Sequence, residues 1–235
     1  MTRLSDSVVL VTGANGGLGK EFVRQGLARG AQKVYATARK PQEWDDARIV
    51  PLTLDVTDSA SVAAAAEAAH DTTVVLNNAG TASPSTLLTI TPDDLRALYE
   101  TNVFGPLAVA QAFAPVLAAN GGGALVDIHS ALSWLATPSA YPSTKAAFWS
   151  LTNGLRIELA AQGTQVVGAH LGFTDTPFTA HLDVPKEDPR DIVAAIYDGL
   201  EAGAHEVLAD DTSRQIKRNL SEPLEALYPQ FAAGH

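Results

Sequence analysis

Seven short runs of β-branched or apolar residues recur along this chain, separated by longer Ala-rich stretches of helical character. The runs are Val8–Val11, Lys33–Ala38, Ile49–Leu52, Thr73–Leu76, Ala124–Ile128, Val166–His170 and Glu206–Leu208. This alternation is the pattern of βαβ units on a parallel sheet. Helices are expected over Leu18–Arg29, Ser59–His70, Pro92–Ala119 with a break near Asn102–Pro106, Tyr141–Ala161 and Pro189–Ala202, with a polar tail after Asp210. The fold class that follows is α/β: a doubly wound parallel sheet of about seven strands with helices on both faces.

The 235 residues lie within the range in which such a sheet folds as one domain, and 46% hydrophobic against 18% charged residues provides a large core. The absence of cysteine excludes disulfides, thiolate metal sites and sulfur nucleophiles. A net charge of -10 repels nucleic acid and anionic membranes, so neither is expected as a partner. The first apolar run, Val8–Val11, is too short for a signal-peptide core or a membrane span, which points to the cytoplasm. The same charge repels an anionic cofactor, so a dinucleotide site has to create its own positive potential from helix termini and a few basic side chains.

Such a site is visible at once. Val8–Val11 runs into Thr12-Gly13-Ala14-Asn15-Gly16-Gly17-Leu18-Gly19 and then into a helical stretch. Glycines let the backbone turn tightly and approach a pyrophosphate, whose charge meets the N–H groups at the helix terminus. The context of strand, glycine turn and helix start is what makes the pattern informative.

The spacing of Gly13, Gly17 and Gly19 resembles the short-chain dehydrogenase/reductase family, and four further motifs follow in order. Asn77-Asn78-Ala79-Gly80 follows the fourth run, Asn102 lies in Asn102-Val103-Phe104-Gly105, Ser130 follows the fifth run, and Tyr141-Pro142-Ser143-Thr144-Lys145 matches the family's Tyr-x-x-x-Lys pair. The resemblance covers about Ser7 to Thr176. It implies a single Rossmann-type domain and an oxidoreductase that moves hydride between a nicotinamide cofactor and a carbonyl or alcohol carbon.

Reducing a carbonyl requires an acid near its oxygen, and a tyrosine with an ordinary pKa near 10 needs a neighbouring cation to do this at neutral pH. Tyr141 and Lys145, at i and i+4, share one helix face. The resemblance further implies that Lys145 holds the nicotinamide ribose, Ser130 bonds the substrate oxygen, and Asn102 anchors a water that passes protons to Lys145. Ser130 lies eleven positions before Tyr141, about two fewer than the family usually shows, so the intervening loop with Pro138 is short and Ser133 is a competing candidate. Where the family commonly has Pro-Gly after the sixth strand this chain has Leu171-Gly172, with Thr176 in the expected place.

Cofactor contacts are expected from Thr12, Gly13, Asn15, Gly17, Leu18 and Gly19, from Asp55, Val56, Asn78, Ala79 and Gly80, and from Tyr141, Lys145, Gly172, Thr174 and Thr176. The second strand ends in Ala36-Thr37-Ala38-Arg39-Lys40, without the carboxylate that would repel a 2′-phosphate. Arg39 offers a planar fork for that phosphate, which favours NADP(H), with NAD(H) the alternative. Trp134, Leu135, Phe173 and Phe178 flank the site and would form an apolar substrate pocket for a small ketone, aldehyde or alcohol, and Phe173–Asp188 reads as a lid-like loop. His129, His170 and His181 are not helix-spaced, and no metal is expected. A homodimer or homotetramer through the helices around Asn102 and Tyr141 is implied by relatives. Two other classes share the fold: a dinucleotide-binding regulatory protein, disfavoured by the full set of Ser130, Tyr141 and Lys145, and a sugar-nucleotide epimerase, which normally adds a larger carboxyl-terminal domain.

Overall fold

The strands are uniformly apolar, and the fold buries them from both sides. In the computed structural model, which describes residues 2–231, seven parallel strands pair in the order β3-β2-β1-β4-β5-β6-β7. They are β1 (Val8–Val11), β2 (Lys33–Ala38), β3 (Ile49–Thr53), β4 (Val74–Asn77), β5 (Ala124–Ile128), β6 (Gln165–His170) and β7 (Glu206–Leu208). Every residue of β1, β4 and β5 is buried.

Helices α1 (Gly17–Ala28) and α6 (Pro189–Glu201) cover one face; α2 (Ser59–Ala68), α4 (Gly105–Ala119) and α5 (Tyr141–Glu158) cover the other. Alternation along a strand divides β1 between them: Val9 and Val11 join Phe22, Val23 and Ile196 on one side, while Val8 and Leu10 join Val62, Phe113 and Leu155 on the other. The Tyr197 hydroxyl donates to the Phe22 carbonyl at 2.9 Å, locking α6 to α1.

The break expected near Asn102–Pro106 in the long third helix is a change of winding, not an interruption. Helix α3 (Pro92–Tyr99) passes through a π-helical turn, Glu100–Phe104, into α4. Pro106 has no N–H to offer the carbonyl four residues back, that of Asn102, so an α-helical ladder fails at this point. The continuous stretch Pro92–Ala119 has the length and mean hydropathy (1.4) of a membrane span. It is a core helix here, with Val109, Ala110, Phe113 and Leu117 packed under the sheet.

The end of the chain corrects an expectation. Among the described residues after Asp210 the chain forms α7 (Asp211–Arg218) and the short α8 (Leu224–Leu227). Asp210 and Ser213 form a reciprocal cap, the Asp210 carboxylate accepting from Ser213 N–H at 2.7 Å, and Lys217 and Arg218 close the last turn.

Candidate active site

Apart from Asn102, the β2–β3 group, and Tyr141 and Lys145 on α5, the expected site residues follow the carboxyl ends of β1, β4, β5 and β6, where β1 separates the two halves of the doubly wound sheet. At the end of β1, Gly13 (φ +68°) and Gly17 (φ +47°) take the left-handed backbone that side chains resist. Gly19 is required for space: a Cβ there would stand 2.2 Å from the Gly13 carbonyl oxygen. The Thr12 hydroxyl accepts from the N–H groups of Asn78 (2.9 Å) and Ala79 (3.0 Å), and the Asn78 amide donates to the Thr12 carbonyl (2.8 Å). These bonds bind the glycine turn to the turn after β4, leaving Gly80 exposed.

Helix α1 begins at Gly17 with no side chain capping its N–H groups and no acidic residue in its first turn. That is a terminus able to receive an anion. Leu18 packs half-buried beneath it. A Cβ on Gly17 would meet Thr176 at 3.3 Å, so the β1 and β6 turns converge. The Asn15 amide donates to the Lys40 carbonyl at 2.7 Å, linking the turn to the end of β2, where Arg39 is exposed. Asp55 accepts from Thr57 N–H and hydroxyl, at 3.0 and 2.8 Å. Those bonds, with a smaller contribution from Arg39, hold its carboxyl below the ordinary value. Val56 is half-buried beside it and touches the Gly105 position.

Tyr141 opens α5 and Lys145 follows one turn later. The Lys145 ammonium is 5.8 Å from the Tyr141 ring centre, but its hydrogen bond goes to the Ile128 carbonyl at 2.8 Å. Burial lowers the Lys145 pKa to about 8 and pushes the Tyr141 phenol above its ordinary value. Asn102 sits in the π-turn with its side chain fully committed: its amide donates to the Thr81 carbonyl (2.8 Å) and to the Thr144 hydroxyl (3.1 Å), and its oxygen accepts from Thr81 N–H (2.9 Å). The side chain therefore ties the segment after β4 to α5.

Ser130 and Ser133 cap the same 3-10 turn, the Ser130 hydroxyl accepting from Leu132 N–H (3.1 Å) and the Ser133 hydroxyl from Ser130 N–H (3.4 Å). Ser130 is the one at the strand end; Ser133 turns back on its backbone. Of the expected pocket residues, Phe178 lies 5.8 Å from Tyr141, centre to centre, and Phe173 is exposed. Leu135 is half-buried. Trp134 is packed rather than open: it stacks on His170 at 3.8 Å, meets Trp149 edge-on and carries Lys217 over its ring.

The loop after β6 is pinned at its base. Glu187 N–H donates to the Phe173 carbonyl and Asp175 N–H to the Glu187 carbonyl, both at 2.9 Å. Thr174 is buried, and Thr176 caps the 3-10 turn Pro177–Thr179. Gly172 N–H donates to the Asp210 carboxylate, so α7 braces the turn that has Leu171 in place of proline.

Four contributors escaped the sequence reading: Asp210, the buried Asp127 in β5, the pair His129–His170 with ring centres 4.9 Å apart across β5 and β6, and Tyr228, whose hydroxyl accepts from Ala136 N–H at 2.9 Å. Only Asp210 had a local signal, its capping spacing to Ser213.

Comparison with known proteins agrees with this geometry. A family model described as short chain dehydrogenase matches residues 7–187. An uncharacterized oxidoreductase of Staphylococcus aureus is 31% identical over 233 residues, covering 92% of this chain and all of the relative. A short chain dehydrogenase from Burkholderia cenocepacia, solved in complex with NADP, superposes with a TM-score of 0.91 at 36% identity, over 97% of this chain and 99% of that one. One from Streptomyces avermitilis gives 0.79 at 28% identity over 97% of both chains. The chain belongs to the short-chain dehydrogenase/reductase family and is an oxidoreductase of that family.

Proposed function

We propose that this oxidoreductase interconverts a small apolar ketone or aldehyde and its alcohol, using NADP(H) in preference to NAD(H). The observation that carries the reading is the Tyr141–Lys145 pair on α5, the ammonium 5.8 Å from the ring centre and bonded to the Ile128 carbonyl two residues before Ser130, in a sheet whose β1 ends in a glycine turn with left-handed Gly13 and Gly17 and no space for a side chain at Gly19. A pyrophosphate fits that turn: α1 starts there with uncapped N–H groups and no acidic residue in its first turn, and the absence of a side chain at Gly19 lets the helix start close on the Gly13 carbonyl. Thr12 and Asn78 shape the turn; Asn15, Leu18, Ala79, Gly80, Asp55, Val56, Gly172, Thr174 and Thr176 are the remaining contacts assigned to the cofactor.

When bound, the nicotinamide supplies or accepts the hydride. Tyr141 gives a proton to the substrate oxygen in reduction and takes it back in oxidation, and the Lys145 ammonium lowers the cost of the phenolate. The Ser130 hydroxyl donates to the same oxygen, and Asn102 holds the Thr81 segment and α5 in register behind them. Phe178, against the Tyr141 ring, and the exposed Phe173 of the same loop are the apolar side chains left for an apolar substrate to cover.

Arg39, exposed at the end of β2 where a carboxylate would disfavour a 2′-phosphate, supports NADP(H), as does the NADP complex of the Burkholderia relative. Assembly as a homodimer or homotetramer through the helices around Asn102 and Tyr141 is consistent with the exposed Phe104 and Ile157. The test is a panel of apolar ketones, aldehydes and secondary alcohols assayed with both cofactors in both redox states. Turnover with NADPH and an apolar carbonyl is expected. Cofactor binding without turnover of any panel member would replace this reading with a dinucleotide-binding regulatory one.

A further inference from the structure

A buried ammonium needs a negative charge near it, and Lys145 has no ion pair of its own among the described residues. Its hydrogen bond goes to a neutral carbonyl, that of Ile128. The residue immediately before Ile128 is Asp127, fully buried in the middle of the sheet. Both of its oxygens are fixed: one accepts from the Asn77 amide of β4 at 2.9 Å, the other from the Thr152 hydroxyl of α5 at 2.7 Å. Asn77 also donates to the Pro106 carbonyl at 3.1 Å, and Thr152 lies two helical turns beyond Lys145. The carboxylate is thus anchored to β4 and α5 with its charge held beneath the active site.

We propose that Asp127 is the counter-charge of Lys145, a positioning residue that keeps the ammonium protonated and seated on the Ile128 carbonyl. The other ionisable groups around Lys145 do not fill this role. Tyr141 on the same helix and His129 and His170 from β5 and β6 are held in their neutral forms by burial. Arg156 and Lys217 add positive charge, and Glu206 of β7 is paired with Lys217 at 2.9 Å. Asp127 is the group whose charge favours ionised Lys145, opposing the lowering to about 8 that burial causes. Burial in turn raises Asp127 to about 6, so the pair is intact in the window between those two values.

The sign follows from the charge. Replacing Asp127 with Asn keeps the shape and removes the negative charge, so Lys145 should lose its proton at lower pH. If Tyr141 acts as proposed above, the alkaline limb of activity should move down with it. The direct readout does not depend on turnover. The chain has six lysines; with 13C at the lysine Cε positions and Lys145→Arg to assign the resonance, NMR titration follows Lys145 itself. In the native protein two inflections are expected, one at the titration of Asp127 and one at that of Lys145. In Asp127→Asn the first should vanish and the second fall by about one pH unit or more, a tenfold change in proton affinity. A Lys145 resonance with a single inflection in the native protein, or one that titrates at the same pH in both proteins, would overturn the proposal. If Asp127→Asn does not fold, the two-inflection titration of the native protein decides alone. Should the lysine shift as expected while no carbonyl or alcohol is turned over, the pairing stands and the proposed reaction fails by itself.

Discussion

The Nδ1 atom of His170 lies 3.2 Å from the carbonyl oxygen of Ser130. A carbonyl only accepts, so Nδ1 carries the proton and the buried Nε2 is left as an unpartnered lone pair. The ring sits under Trp134, with His129 beside it. One imidazole therefore holds both the backbone of Ser130 and the first residues of the short loop to Tyr141.

His170 is consequently a stability element with a pH signature. Burial holds its pKa down to about 3, and His129 is lowered in the same way. A folded-state pKa below the unfolded value of about 6.5 means stability fully present above that value and lost as pH falls toward the folded pKa. Each imidazole should add a slope of about 1.4 kcal/mol per pH unit below pH 6. His170→Phe keeps the stacking but strands the Ser130 carbonyl, and it should cost roughly 1–3 kcal/mol at pH 7.5. Urea unfolding at pH 7.5 and 5.5 should show the variant less stable but with the shallower pH slope; parallel slopes would contradict the assignment.

Tyr141→Phe removes the hydroxyl and leaves the ring against Phe178. Turnover should fall by roughly 10²–10⁴-fold, the usual worth of a general acid, while cofactor affinity changes little. Steady-state kinetics paired with a fluorescence titration of NADPH separates the two. More than about a tenth of native activity would remove Tyr141 from the role.

The strands were legible because parallel strands buried on both faces read as unbroken apolar runs, and all seven were placed with small errors at their ends. The glycine turn and the Tyr141–Lys145 pair were legible because each is local. What sequence did not disclose is set by register across the sheet. His129 and His170 are 41 positions apart and meet because β5 pairs with β6, and the Tyr228 hydroxyl reaches Ala136 across 92 positions. Asp127 lies inside the run Ala124–Ile128, and only the placement of Asn77 and Thr152 on either side reveals a buried carboxyl. The tail after Asp210 was misread because its polarity outweighed its capping signals. The helix gains its place from Lys217, which spans Trp134, Trp149 and Glu206.

Asp210 couples this C-terminal helix to the site, accepting from Ser213 N–H at the α7 cap and from Gly172 N–H at the β6 turn. Asp210→Ala strands both donors and should cost roughly 1–3 kcal/mol. Asp210→Asn keeps an acceptor and should cost less. Because a Cβ at Gly172 would already crowd Thr212 at 3.1 Å, the turn has little freedom to find another partner. Cofactor affinity should weaken in the same order as stability, Ala more than Asn. Denaturant midpoints and cofactor titrations on the two variants check this, and an unchanged cofactor affinity in Asp210→Ala would show that the brace serves α7 alone.

In the proposed reading Arg39 has to select NADP(H) against an unfavourable overall field, the chain having a net charge of -10. It is exposed at the end of β2, next to Lys40, whose carbonyl Asn15 grips, and its charge acts on Asp55 after β3. A charge-assisted hydrogen bond to a 2′-phosphate contributes about 1.5–3 kcal/mol, so Arg39→Ala should weaken NADP(H) roughly ten- to a hundredfold. NAD(H) lacks that phosphate and should be nearly indifferent. Screening supplies a second, independent signature. Added salt should weaken NADP(H) more than NAD(H) in the native protein and discriminate less in Arg39→Ala, where the screened interaction is gone. Titrating both dinucleotides into both proteins at two salt concentrations decides it: equal losses for the two, or a native protein that already prefers NAD(H), would make Arg39 an ordinary surface residue.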